Sequence, residues 1–117
     1  MIQILEPGPS LPLVEGEGSA RAVIWPGIGA RLRSLHRISL GAGARTVELR
    51  HAGEAVYYVI AGEGRALDGG DGSAQELVRG SMVFVEPGTS YRLAAGERGL
   101  ELVGGPCPPD PKLYEGI

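Results

Sequence analysis

The side chains best suited to chemistry are few: two histidines, His36 and His51, one cysteine, Cys107, and four tyrosines among 117 residues. An imidazole exchanges protons near neutral pH, so His51 and His36 are the natural candidates for a general base. Transition metals need several imidazole, carboxylate or thiolate donors converging on one point, and two histidines supply too few for an all-histidine site. A lone cysteine excludes an intrachain disulfide framework and a cysteine-rich zinc site. Cys107 stands among prolines with no neighbouring histidine to lower its pKa, which reads as an incidental thiol. Gly27-Ile28-Gly29, Gly41-Ala42-Gly43 and Gly62-Glu63-Gly64 do not complete a phosphate-binding Gly-x-Gly-x-x-Gly and read as tight turns.

The elements that must position these groups are short strands. Apolar residues come in runs of four to eight, broken by Gly, Pro and Asp-Gly. The expected strands are Ile2–Leu5, Arg21–Trp25, Arg33–Leu40, Arg45–His51, Ala55–Ala61, Gly64–Leu67, Gln75–Val78, Ser81–Val85, Ser90–Ala95 and Leu100–Val103. With 20 glycines and 9 prolines and no helical apolar stripe, a helical bundle is excluded, and an all-β sandwich or barrel is expected. The length fits a single domain, 1–117, with its core at 33–103. An N-terminal arm covers 1–20 and a Pro-rich C-terminal arm covers 104–117; the prolines argue against helix or central strand from Gly104 to Pro111. That arm is expected to lie across the outside of a sheet, reach a second subunit or fray. Trp25-Pro26 is expected to serve packing. A net charge of −3 without a basic stripe speaks against nucleic acid and anionic membranes. No apolar run is long enough to span a bilayer, and a cytoplasmic protein is expected.

The stretch from His51 through Tyr57-Tyr58-Val59-Ile60-Ala61-Gly62-Glu63-Gly64 resembles the first motif of the cupin superfamily, roughly His-x-His-x(3,4)-Glu-x(6)-Gly. Gly80-Ser81-Met82-Val83-Phe84-Val85-Glu86-Pro87-Gly88-Thr89-Ser90-Tyr91 resembles the second, Gly-x(5)-Pro-x-Gly-x(2)-His. With flanking strands the resemblance runs from about Arg33 to Val103. It implies a jelly-roll β-barrel, the cupin-like double-stranded β-helix, of the small bacterial type and commonly dimeric. Metal-bearing cupins place three histidines and a glutamate at positions that here hold Leu49, His51, Ala55 and Tyr91. One donor of four is kept, so no metal and no other cofactor is expected. Glu54, one residue off register, would point to the opposite face and is a poor substitute for the missing carboxylate.

Given that fold, strand alternation turns Val47, Leu49, His51, Ala55, Tyr57, Val59, Tyr91 and Leu93 inward, and His36 with them. These residues are the expected ligand pocket, mainly apolar, suited to a small organic molecule with one or two hydrogen-bonding ends. Arg33, Arg37 and Arg92 are candidates for its rim, where they would attract a carboxylate. The expected function is small-molecule binding by a homodimer, with Ile2–Leu5 as a strand for exchange between subunits. The alternatives are a metal-independent isomerase, epimerase or lyase with His51 and Tyr91 as its acid–base pair, and a metalloenzyme with an atypical site built from His36, His51 and another donor. Metal-free deoxysugar epimerases of this superfamily resemble the first alternative, but their base leans on an aspartate for which the sequence offers no evident equivalent here.

Overall fold

A computed structural model describes residues 1–117. Eight strands form the molecule: β1 (Val14–Glu15), β2 (Gly18–Ile24), β3 (Leu35–Leu40), β4 (Arg45–Thr46), β5 (Glu54–Asp68), β6 (Ala74–Val78), β7 (Met82–Val85) and β8 (Tyr91–Cys107). The only helical segments are short 3-10 turns at Pro26–Ile28 and Pro111–Tyr114.

Two long strands organise everything else. β5 and β8 pair antiparallel from Glu54↔Cys107 to Asp68↔Tyr91. The first half of β5 is flanked by β7 and the last half of β8 by β3, with β2 outside it, giving the order β7-β5-β8-β3-β2. The second half of β5 is flanked by β6 and the start of β8 by β4, with β1 outside it, giving β6-β5-β8-β4-β1. All pairings are antiparallel, and the two sheets enclose one core, as in a jelly roll. Ile38, Leu40, Ala55, Val59, Leu93, Leu100 and Leu102 lie in that core, each at most 2% exposed. β5 alternates exposed and buried from Glu54 to Val59, the period-two pattern of a strand with one face in the core.

Several boundaries differ from those expected. Gly62-Glu63-Gly64 is not a turn between strands but an irregularity inside β5, where the register with β8 shifts. Gly62 has φ +83°, and a Cβ there would collide with the carbonyl of Gly99, so glycine lets the two strands cross closely. The expected strands on either side therefore merge, as do Ser90–Ala95 and Leu100–Val103 in β8. β8 also runs on through Gly104-Gly105-Pro106, which is central strand after all. Pro106 is tolerated there because its carbonyl does the bonding, accepting from the backbone N–H of Ser34 (3.2 Å) and from Ser34 Oγ (2.6 Å). Ile2–Leu5 forms no strand: Ile2 and Ile4 are about nine-tenths exposed, with no partner in their own chain.

Candidate functional site

His51 lies in the loop that leads into β5. The loop is held by a backbone bridge between Leu49 and Tyr91, both bonds 2.8 Å, and by the Gly88 N–H, which donates to the His51 carbonyl at 2.8 Å. Alternation then turns Tyr57 of β5 and Tyr91 at the start of β8 toward the same interior point. Their side chains join in one series. Asp110 Oδ2 stands 2.8 Å from His51 Nδ1, His51 Nε2 stands 2.9 Å from the Tyr91 hydroxyl, and the two tyrosine hydroxyls are 2.6 Å apart. His51, Tyr57 and Tyr91 are each at most 5% exposed.

The direction of the series follows from its first member. A carboxylate can only accept, so His51 Nδ1 carries the hydrogen. With the ring neutral, Nε2 then accepts from the Tyr91 hydroxyl, and Tyr91's oxygen accepts from Tyr57. Burial pushes the Tyr57 phenol up to about 12. Burial likewise pushes Tyr91 far above the usual phenol range, helped by the adjoining, hydrogen-bonded Tyr57 phenol and by the Asp110 carboxylate. Both phenols are thus held protonated as donors.

Asp110 is the residue that sequence reasoning missed. After β8 the Pro-rich segment neither lies on the outer face nor frays; it folds back onto the interior-facing histidines. The other oxygen of Asp110 accepts from the Lys112 N–H at 3.0 Å, capping the 3-10 turn that Pro111 begins. One turn later Tyr114 brings its hydroxyl to 2.6 Å from His36 Nε2, with its ring 5.4 Å from that of Trp25. Burial, with a smaller contribution from the His51 charge, holds the His36 pKa down at about 4. His36 belongs to this second contact and makes no hydrogen bond to the Tyr91 series. The local signal for Asp110 was Asp-Pro as a turn opener; nothing in its spacing points to His51, far back in the chain.

Beside the series lies a cleft of about 490 Å³, between β6, β7 and the paired β5 and β8. Of the expected pocket residues, Tyr91 and Leu93 line it, together with Leu77, Val83 and Val85. His51 and Tyr57 stand behind Tyr91. Leu49, Ala55 and Val59 are packed in the core, and Val47 is half-buried against it. Arg37 pairs with Glu101, and Arg92 with Glu15; neither these nor the exposed Arg33 reaches the cleft. Cys107 Sγ makes only a long contact, 3.7 Å, with the Gly105 carbonyl.

A metal of the kind the fold family often carries does not fit these residues. The side chains beside His51 and Tyr91 at the corresponding positions are the buried Leu49 and Ala55, and no three of His, Cys, Asp and Glu converge anywhere in the structure. His36 and His51 are each committed to another partner, Tyr114 and Asp110 respectively. No helix is long and apolar enough to cross a membrane.

No family model matches the chain, nor does any curated protein. Solved structures do. A cupin-like protein from Thermotoga maritima is similar at 21% identity and TM-score 0.74, over 90% of this chain and 80% of that one. A predicted oxalate decarboxylase from the same organism is similar at 22% identity and TM-score 0.69, over 86% and 91%. A double-stranded β-helix protein from Klebsiella pneumoniae is similar at 18% identity and TM-score 0.71, over 82% and 81%. At such identities the likeness speaks to architecture, and it agrees with the two motifs and the shared long strands: the chain has the cupin fold.

Proposed function

We propose that the chain binds a small organic molecule in the cleft that ends on Tyr91, without a metal. The observation that carries this reading is the cleft itself, of ligand size, walled by Leu77, Val83, Val85 and Leu93 and closed by a buried, hydrogen-bonded phenol. Screening small molecules by thermal shift tests it: a ligand is expected that raises the melting temperature of the native chain and not that of Leu93→Trp, which fills the cleft. Leu77→Trp serves as a second variant should the first fail to fold. Ligands that stabilise native and filled variants alike would count against the cleft.

The contact between Asp110 and His51 favours a second reading, metal-independent acid–base catalysis of the isomerase, epimerase or lyase type. Tyr91 is the member that touches the cleft. It can pass its proton to His51 Nε2 as its oxygen takes one from the substrate, and Asp110 stabilises the imidazolium so formed. In that case His51→Ala and Tyr91→Phe each lower turnover by about a hundredfold or more, the usual scale of general acid–base contributions. Ligand binding that survives both, with no turnover changed by either, leaves the binding function and removes the catalytic one.

A second copy of the chain is the partner we assign to the N-terminal segment. Ile2 and Ile4 alternate with polar Gln3 and are exposed in the single chain, as an exchanging strand requires. Light scattering is expected to give a dimer at micromolar concentration, lost on deleting residues 1–5; a monomer removes the assignment.

A further inference from the structure

Eleven large apolar side chains are exposed, and seven of them gather in two places. Met1, Ile2 and Ile4 belong to the N-terminal arm; Val56, Tyr58, Met82 and Phe84 belong to β5 and β7. Val56 and Tyr58 alternate with the buried Ala55, Tyr57 and Val59, and Met82 and Phe84 with Val83 and the buried Val85. All four therefore project from the outer face of the sheet, away from the core. The register sets them side by side: Val56 pairs with Phe84, and Tyr58 lies between Met82 on one side and Val103 on the other. With Leu35 of β3 they surround a hollow of about 450 Å³ whose lining is apolar throughout. Polar groups stand beside it, Glu54 two residues before Val56 and the Arg37–Glu101 ion pair next to Val103. An apolar centre with a polar rim is the anatomy of a protein–protein contact.

The arm has the complementary character. No backbone hydrogen bond ties residues 1–7 to the rest of the backbone. Ile2 and Ile4 lie on the same side of an extended segment. From Gly8 the chain is held along β2, the Gly8 N–H donating to the Ala22 carbonyl at 2.6 Å, so the arm leaves from that edge of the sheet. Seven extended residues reach at most about 25 Å. That is enough to cross four strands, which span roughly 14 Å.

Area decides what covers the face. At these exposures the face and the arm each offer roughly 500 Å² of apolar surface, whereas a stable contact takes about 800 Å² from each partner. Neither feature suffices alone. In a two-fold pair every copy gives both, and the requirement is met. We infer that a second copy of the chain docks on the outer face of β7, β5, β8 and β3, its arm lying across the hollow with Ile2 and Ile4 against Met82 and Phe84. The inference rests on the assignment of the arm to a second copy and names the surface that receives it.

Two measurements on the full chain test it. By light scattering and sedimentation, Phe84→Glu is expected to raise the dimer dissociation constant at least about thirtyfold, the scale of a central interface residue. Met82→Glu is the second variant should the first fail to fold, and circular dichroism checks both. A nitroxide on Gln3→Cys, in a Cys107→Ser background, is mixed with 15N-labelled native chain. It is expected to broaden the amide signals of Val56, Tyr58, Met82 and Phe84 in the unlabelled partner's contact. If deleting residues 1–5 gives monomers but both Glu variants dimerise like the native chain, the face is overturned and the arm assignment stands. Broadening confined to other strands overturns it equally. A dimer weakened by the Glu variants but not by the deletion removes the arm from the face. A native chain that is monomeric removes both readings.

Discussion

At the scale of single residues, Asp110 and Tyr114 decide the state of the two histidines. Asp110 divides its oxygens between a backbone cap and His51. Tyr114 does for His36 what Asp110 does for His51, but with a neutral hydroxyl, so nothing offsets the cost of charging a buried imidazole there. The folded His36 therefore stays neutral down to about pH 4, whereas the unfolded chain takes up that proton near 6.5. Between those values the unfolded state binds more protons, so stability falls as pH falls, by up to about 3 kcal/mol for a shift of this size. Urea midpoints measured at pH 7.5 and 4.5 are expected to differ less for His36→Gln than for the native chain. An equal fall in both places the acid sensitivity elsewhere. Tyr57 and Tyr91 were legible in the sequence because strand alternation decides which way they face. His51 was picked out by its motif, but the strand expected over Arg45–His51 ends at Thr46, and the loop after it, not alternation, turns His51 inward. Asp110 was not, because its position depends on a chain reversal fixed by tertiary contacts.

Among the elements, the segment after β8 shows where composition misleads. Four prolines from Pro106 onward suggested an end to regular structure, yet a proline whose N–H is not needed sits in a central strand at no cost to the ladder. The same prolines then stiffen the return of the chain over His36 and His51. Removing residues 110–117 takes away the His51 and His36 partners and the ring contact between Tyr114 and Trp25. That loss is expected to cost about 3 kcal/mol or more, since two buried polar groups are left unpaired. It should also make both histidines reactive toward diethyl pyrocarbonate; histidines as protected as in the full chain would show that the segment does not cover them. The turn signals elsewhere were reliable at Asp68-Gly69-Gly70 and Glu86-Pro87-Gly88, which do connect strands. Gly62-Glu63-Gly64 has the same composition but serves a strand crossing, and composition alone does not separate the two uses.

For the molecule as a whole, the jelly roll was readable from strand number, spacing and the two motifs, whereas the merging of four expected strands into β5 and β8 was not. Those two strands belong to both sheets, so neither sheet can lose its order while the other keeps it. Amide hydrogen exchange is expected to show β5, β8 and β3 opening together at the free energy of global unfolding, with β6 and β7 opening at a lower one. Separate exchange of the two sheets would contradict that picture. The unequal bonding also bears on how anything enters or leaves. β6 and β7 are each bonded along one edge only, to β5, and they form one side of the cleft. A container whose frame is continuous cannot gape along a seam; it yields where a flap is sewn on one side. Exchange of a molecule between the cleft and bulk water is therefore paced by the flexing of those two strands, and a crosslink from β6 or β7 across the cleft to β8 would slow arrival and departure alike while leaving the equilibrium between them nearly where it was.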